Sequence, residues 1–215
     1  MKRKHLVMAA LSTFAVTFAG LIVYAGESNK VSPEFRKQFI DSFKRTSLNT
    51  TPEDAMMLRI LVESSGAKRG VEVGTASGFG AINMGIAFER TGGHLWTHDI
   101  NPKAIQETQE NLKKVGLENI VTCVEGDALQ TLGKVEGPID FVFIDALKRD
   151  YFKYLKILEP KLKVGAIVVA DNVIVSARDM KDYLDYVQNS PNYDAVIIRA
   201  SLEKKDGMSI SYKIK

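Results

Sequence analysis

From Arg69 onward, short apolar runs alternate with segments of helical period, and this alternation limits the fold more than any other property of the chain. "GVEVG" precedes a helix near 78–90, and "HLWTHD" precedes one from Pro102 to about Val115. "NIVTCVEGD" leads to a short helix near 128–133, "IDFVFID" to one near 149–158, and "GAIVVADN" to one near 177–189. Such alternation predicts a mostly parallel sheet with helices on both faces. "DAVIIRA" and "SISYKIK" follow with no helix between them, so they are expected to pair antiparallel and make the edge mixed. Ligands of open α/β sheets bind at the carboxyl ends of the strands. The residues that end each strand are therefore the ones to inspect.

The segment before this pattern is different in kind. Lys2, Arg3, Lys4 and His5 precede an apolar run that carries no charge until Glu27. A basic head followed by about 20 apolar residues reads as a signal peptide or a membrane anchor. Residues 6–25 are thus expected to hold the chain at a membrane, or the domain is exported if the segment is cleaved. The expected divisions are 1–25 for this segment, 26–47 for a polar linker and an amphipathic helix, and 48–215 for the α/β domain. In that helix Phe35, Phe39, Ile40 and Phe43 share a face, which suits a homodimer contact. Thr51, Pro52 and the acids after them form a helix start.

Composition excludes other classes. A net charge of +3, much of it in the first residues, supplies no basic face for nucleic acid. The one cysteine, Cys123, cannot form an internal disulfide and reads as a buried small residue. His94 and His98 have no metal-ligand spacing and read as structural.

The first strand ends in "EVGTASGFG". Its glycines, 74, 78 and 80, are spaced G-x-x-x-G-x-G rather than as the dinucleotide fingerprint G-x-G-x-x-G. The loop suits a ligand that needs close backbone approach but brings no pyrophosphate, or else serves a tight turn alone. Glu72, just before it, repels phosphate and attracts an ammonium. Asp99 ends the second strand, where an acid suits the two hydroxyls of a ribose. Asn101 is the better cap for the helix after it, which leaves Asp99 free for a ligand. Asp127, after the third strand, either caps the next helix or meets a ligand. Asp145 ends "IDFVFID", and Asp171-Asn172 end "GAIVVADN". Parallel neighbouring strands bring Asp145 and Asp171 to one edge, and two carboxylates with an amide oxygen make a hard half-shell suited to Mg²⁺.

"VEVGTASGFG", "THDINP", "GDAL", "FIDALKRDY" and "VVADNV" occur in the order and spacing of S-adenosylmethionine-dependent O-methyltransferases. The chain resembles the cation-dependent group that includes catechol and caffeoyl-CoA O-methyltransferases, over roughly residues 48–213. The resemblance implies a Rossmann-like seven-stranded methyltransferase sheet, its last strand antiparallel, here preceded by the N-terminal hydrophobic helix. It implies S-adenosylmethionine and Mg²⁺ or another divalent cation as cofactors, and a phenolic small molecule as substrate.

Residue by residue, it places Glu72, Gly74, Thr75 and Gly80 at the methionine part of the cofactor, Asp99 at the ribose, and Asp127 and Ala128 beside the adenine. Thr50 falls on a minor cofactor contact. Asp145, Asp171 and Asn172 fall on the metal ligands, with Asp145 also beside the cofactor, and Lys148 falls on the catalytic lysine. Lys148 lies one turn beyond Asp145, within reach of a chelated phenol, and is expected to act as general base. Tyr151 reads as packing. Gly80 departs from the Ser common at its position, and Ala146 and Leu147 replace larger or more polar residues; these changes bear on substrate more than on cofactor. Two other readings stay open: a metal-independent methyltransferase, and a membrane-tethered binding module without catalysis. Because S-adenosylmethionine is made in the cytosol, a domain exported by the positive-inside rule conflicts with the cofactor.

Overall fold

The computed structural model describes residues 31–215. The signal or anchor segment and the expected N-terminal hydrophobic helix lie outside them. Among the described residues, no helix is long and apolar enough to cross a membrane.

Two helices precede the sheet. Helix α1 (Pro33–Asp41) starts at Ser32, whose hydroxyl accepts from the Phe35 amide, and α2 (Pro52–Ser65) starts at Thr51, whose hydroxyl accepts from the Asp54 amide. Both caps satisfy amides that a helix start leaves unpaired. The amphipathic helix expected within 26–47 stops at Asp41, before Phe43, where the Ser42 hydroxyl turns back to the carbonyls of Gln38 and Phe39. Then follow β1 (Arg69–Val73), α3 (Phe79–Thr91), β2 (His94–Asp99), α4 (Pro102–Lys114), β3 (Val121–Glu125) and the short α5 (Ala128–Thr131). The second half comprises β4 (Ile139–Ile144), α6 (Tyr151–Leu158), β5 (Leu162–Ala170), α7 (Lys181–Asn189), β6 (Tyr193–Ile198) and β7 (Met208–Lys213).

The seven strands lie in the order β3-β2-β1-β4-β5-β7-β6. The first five are parallel, and β7 runs antiparallel to both β5 and β6. The last strand is thus antiparallel, as expected. Side chains of a strand alternate between its faces, and β4 shows what that requires of a doubly covered sheet. Val142 and Ile144 enter one core with α6 and α7, while Phe141 and Phe143 enter the other with α2, α3 and α4. All six residues of β4 are buried.

Register sets the site. Val73 is paired with both His98 and Ile144, and Ile144 with Ala170. The next residue along each of these strands is Gly74, Asp99, Asp145 and Asp171, so four strand ends open on one edge. Two expected helices begin later than their periodicity suggests. The helix near 149–158 is preceded by a tighter turn over Lys148–Asp150, and residues 173–180 form turns before α7.

Candidate active site

Gly74 begins the loop after β1 at φ +94, and a Cβ there would stand 2.0 Å from the carbonyl oxygen of Asp145. Only glycine fits this approach, which brings the ends of β1 and β4 together. The loop continues through Thr75 and Ala76, and Ala76 holds φ +48. A left-handed alanine is costly, and Asp99 supplies the restraint: its Oδ2 accepts from the amides of Thr75 and Ala76, both at 3.1 Å. Asp99 Oδ1 accepts from the Asn101 amide at 2.9 Å. Asp99 is therefore not free, as its sequence context suggested. Asn101 does cap α4, but the glycine loop folds back onto the Asp99 carboxylate. A carboxylate has further lone pairs, so the same group can still take a ligand hydroxyl.

Glu72 is buried and accepts from the hydroxyl of Thr97. Burial, with Asp145 and Asp99 adding to it, pushes its carboxyl up to about 8. A cation bound beside it would favour the ionised form. Around it, Leu48, Asn49, Thr50, Glu72, Gly74, Thr75, Gly80, Phe143 and Asp145 line a narrow cleft. Six of the nine are predicted cofactor residues. The Thr50 hydroxyl is buried there without a partner. A Cβ on Gly80 would come within 2.7 Å of Glu72 Oε1, so the absent serine leaves room for that carboxylate.

Asp127 and Ala128 lie apart from these nine. Asp127 caps α5, its Oδ1 accepting from Leu129 at 2.9 Å. The Gly126 amide donates to the Asp99 carbonyl at 2.9 Å, which sets this turn beside the Asp99 loop. Cys123 is half-buried on the sheet's edge strand β3, less enclosed than its apolar flanks suggested. Burial pushes its thiol up to about 12, so it stays protonated. His94 and His98 behave as structural residues: His94 bonds Thr122 and His98 bonds Thr131.

At the ends of β4 and β5, the Asp171 amide donates to the Ile144 carbonyl at 3.0 Å, fixing Asp145 and Asp171 side by side. Lys148 Nζ donates to Asp145 Oδ1 and to the Tyr151 hydroxyl, both at 2.8 Å, and that hydroxyl donates to the Asp171 carbonyl at 3.2 Å. Tyr151, read from sequence as packing, is fully buried and also aims Lys148. Asp171 Oδ1 accepts from the Asn172 amide at 2.7 Å, whereas Oδ2 is buried with no hydrogen bond. Burial first, and the Asp145 charge second, push the Asp171 carboxyl up to about 7. Asn172 sits at φ +62, which asparagine tolerates, and its side-chain nitrogen faces Asp206 Oδ2 at 3.3 Å.

Two carboxylates that repel, one with an orphaned oxygen, and an adjoining amide fit a divalent cation. Among the described residues, no three His, Cys, Asp or Glu side chains gather as a metal group; the set here counts on the amide. Lys204, which sequence reasoning passed over, comes within 3.8 Å of Asp171 Oδ2. Asp54 is also buried close to this group, with its carboxyl raised chiefly by burial and also by the Asp145 charge. A separate apolar groove of about 460 Å³ runs along α2 past Met56, Ile60 and Ala200 and holds none of the predicted residues.

The O-methyltransferase family model matches residues 24–200. The O-methyltransferase ankF of Aspergillus thermomutatus is 33% identical over 138 residues, 63% of this chain and 58% of that protein; the chain thus spans little over half of that relative's length. A catechol O-methyltransferase of Niastella koreensis is 29% identical over 157 residues, 70% of this chain and 71% of its own. The crystal structure of cofactor-bound Rv0187 from MTB superposes with a TM-score of 0.74 at 26% identity, covering 83% of this chain and 87% of that one.

Proposed function

The chain belongs to the O-methyltransferase family, and from that premise we propose that it moves the methyl group of S-adenosylmethionine to a hydroxyl of a catechol-like phenol. One observation carries this reading: Asp145 lines the cleft that contains Glu72 and also adjoins Asp171 with its orphaned oxygen. A methyl donor held at Glu72 and an acceptor held at Asp171 would meet across Asp145.

Glu72 would take the donor's ammonium, with Gly74 and Gly80 giving the backbone access and Thr50 a hydroxyl. Asp99 would face the ribose, and Asp127 and Ala128 the adenine. Asp145, Asp171 and Asn172 would hold the divalent cation, which when bound supplies Lewis-acid polarisation of the acceptor oxygen. Lys148 in its neutral form would accept the acceptor's hydroxyl proton at Nζ, steadied by the Tyr151 hydroxyl. The oxygen's electron pair then forms the new bond to the methyl carbon, and the carbon–sulfur bond breaks with its pair going to sulfur. The products are a methyl ether and S-adenosylhomocysteine. Positioning supplies most of the acceleration in such a displacement.

Methyl transfer from labelled S-adenosylmethionine to a panel of catechols, with and without EDTA, tests the proposal. Labelled ether that EDTA abolishes supports it; no transfer to any phenol overturns it. A second reading has support in the pairing of each carboxylate with an ammonium, Asp145 with Lys148 and Asp171 with Lys204. In that case turnover is metal-independent, and EDTA leaves it unchanged.

A further inference from the structure

Lys204 lies in the loop over residues 199–207 that joins β6 to β7, and its ammonium faces the Asp171 oxygen that has no hydrogen bond. The separation from Asp171 Oδ2 is 3.8 Å, close enough to offset the charge and too long for a hydrogen bond. Asp171 is almost wholly enclosed, with 2% of its side chain exposed against 30% for Lys204. We propose that Lys204 is a built-in counter-ion of Asp171 that the divalent cation displaces, so that metal binding and release of this loop are one event.

The inference rests on the metal reading above. An oxygen-bound divalent ion would sit about 2.1 Å from its ligand. The ammonium already stands at the same oxygen, and two positive charges cannot share one buried carboxylate oxygen without repulsion. The loop is built to let one part go and keep the other. Its far end is tied independently: Asp206 Oδ1 accepts from the amides of Ile174, Val175 and Gly207 at 2.9, 3.0 and 2.8 Å. That anchor holds the turn after Asn172 whether or not Lys204 stays. The near part is held by an exposed ion pair and by one buried hydroxyl. Glu203 meets Arg45, from the segment before α2, at 2.8 and 3.0 Å, and Ser201 Oγ accepts from the amides of Glu203 and Lys204. Lys204 is thus a positioning residue, acting on the cation through Asp171.

The test uses the full-length chain and Mn²⁺ as probe, read by electron paramagnetic resonance without substrate, for wild type, Lys204→Met and Lys204→Arg. Lys204→Met is expected to bind Mn²⁺ at least about fivefold more tightly, and Lys204→Arg to return to the wild-type value. Amide hydrogen exchange over residues 201–205 is expected to quicken when Mn²⁺ is added to wild type and to be already fast in Lys204→Met. Equal or weaker Mn²⁺ binding by a folded Lys204→Met overturns the proposal, as does slower loop exchange on adding Mn²⁺ to wild type. Should Lys204→Met not fold, Glu203→Gln loosens the same strap and is expected to tighten Mn²⁺ binding modestly; an unchanged affinity there counts against the proposal. If wild type and variants alike bind no Mn²⁺, the metal reading fails and this inference falls with it, a result distinct from equal affinities.

Discussion

The two halves of the site solve the same problem, a buried carboxylate, in opposite ways. On the β1–β2 side, Asp99 accepts three amides from its own neighbourhood and Glu72 accepts a hydroxyl from the adjacent strand. These partners are backbone or short side chains, so the half is rigid before any ligand arrives. On the β4–β5 side, Asp145 and Asp171 are offset by long lysine side chains, and one Asp171 oxygen lacks a hydrogen bond. That half is charge-balanced but not finished. The β1–β2 half is preorganised for a constant ligand, and the β4–β5 half is left to respond to what binds.

The two halves separate most visibly at Lys148. Lys148→Met is expected to lower the methyl-transfer rate by about 10²–10⁴ while leaving S-adenosylmethionine affinity unchanged, as single-turnover kinetics and calorimetry would show. If both fall together, the halves are not separable.

His98 probes the rigid half from beneath. Burial lowers its imidazole to about 4 against an ordinary 6.5. Its stabilising contribution is therefore complete above about 6.5 and is lost as pH falls toward 4, because the unfolded chain takes up a proton that the fold refuses. The linked loss is about 3 kcal/mol, and urea unfolding from pH 7 to pH 4 should show His98→Gln with a flatter acid limb than wild type.

Glu72 sharpens the donor side. With its carboxyl near 8 in the free protein, it is largely protonated at pH 7, and an arriving ammonium should expel the proton. Calorimetry in buffers of different ionisation enthalpy is expected to register that release. Glu72→Gln should abolish it and weaken cofactor binding by about tenfold or more. The smallest effect belongs to Arg45, whose exposed pairing with Glu203 joins the segment before α2 to the β6–β7 loop. Arg45→Met is expected to cost less than about 1 kcal/mol in thermal unfolding.

The placement of the β1–β2 residues was legible because it obeys local rules. Glu72, Gly74 and Asp99 end strands, and strand ends follow from the alternation of apolar runs with helices. The adjacency of Asp145 and Asp171 was legible for the same reason, since parallel neighbours share an edge. Asp99 was misread in one respect: sequence assigned the cap to Asn101 but gave no sign that Thr75 and Ala76 would fold back onto the carboxylate. Tyr151 has an apolar ring at helical spacing, and nothing in that spacing reveals a hydroxyl aimed at Lys148. Lys204 is the least legible. It follows Asp171 by more than thirty residues, in a lysine-rich loop with no period, and only the crossing of β7 brings it back.

That crossing has an evolutionary corollary. Because β7 wedges between β5 and β6, the final connection of the chain is delivered to the end of β5, beside Asp171. Descendants could lengthen, shorten or recharge that connection and so change what surrounds Asp171, while the register that aligns the strand ends is inherited intact.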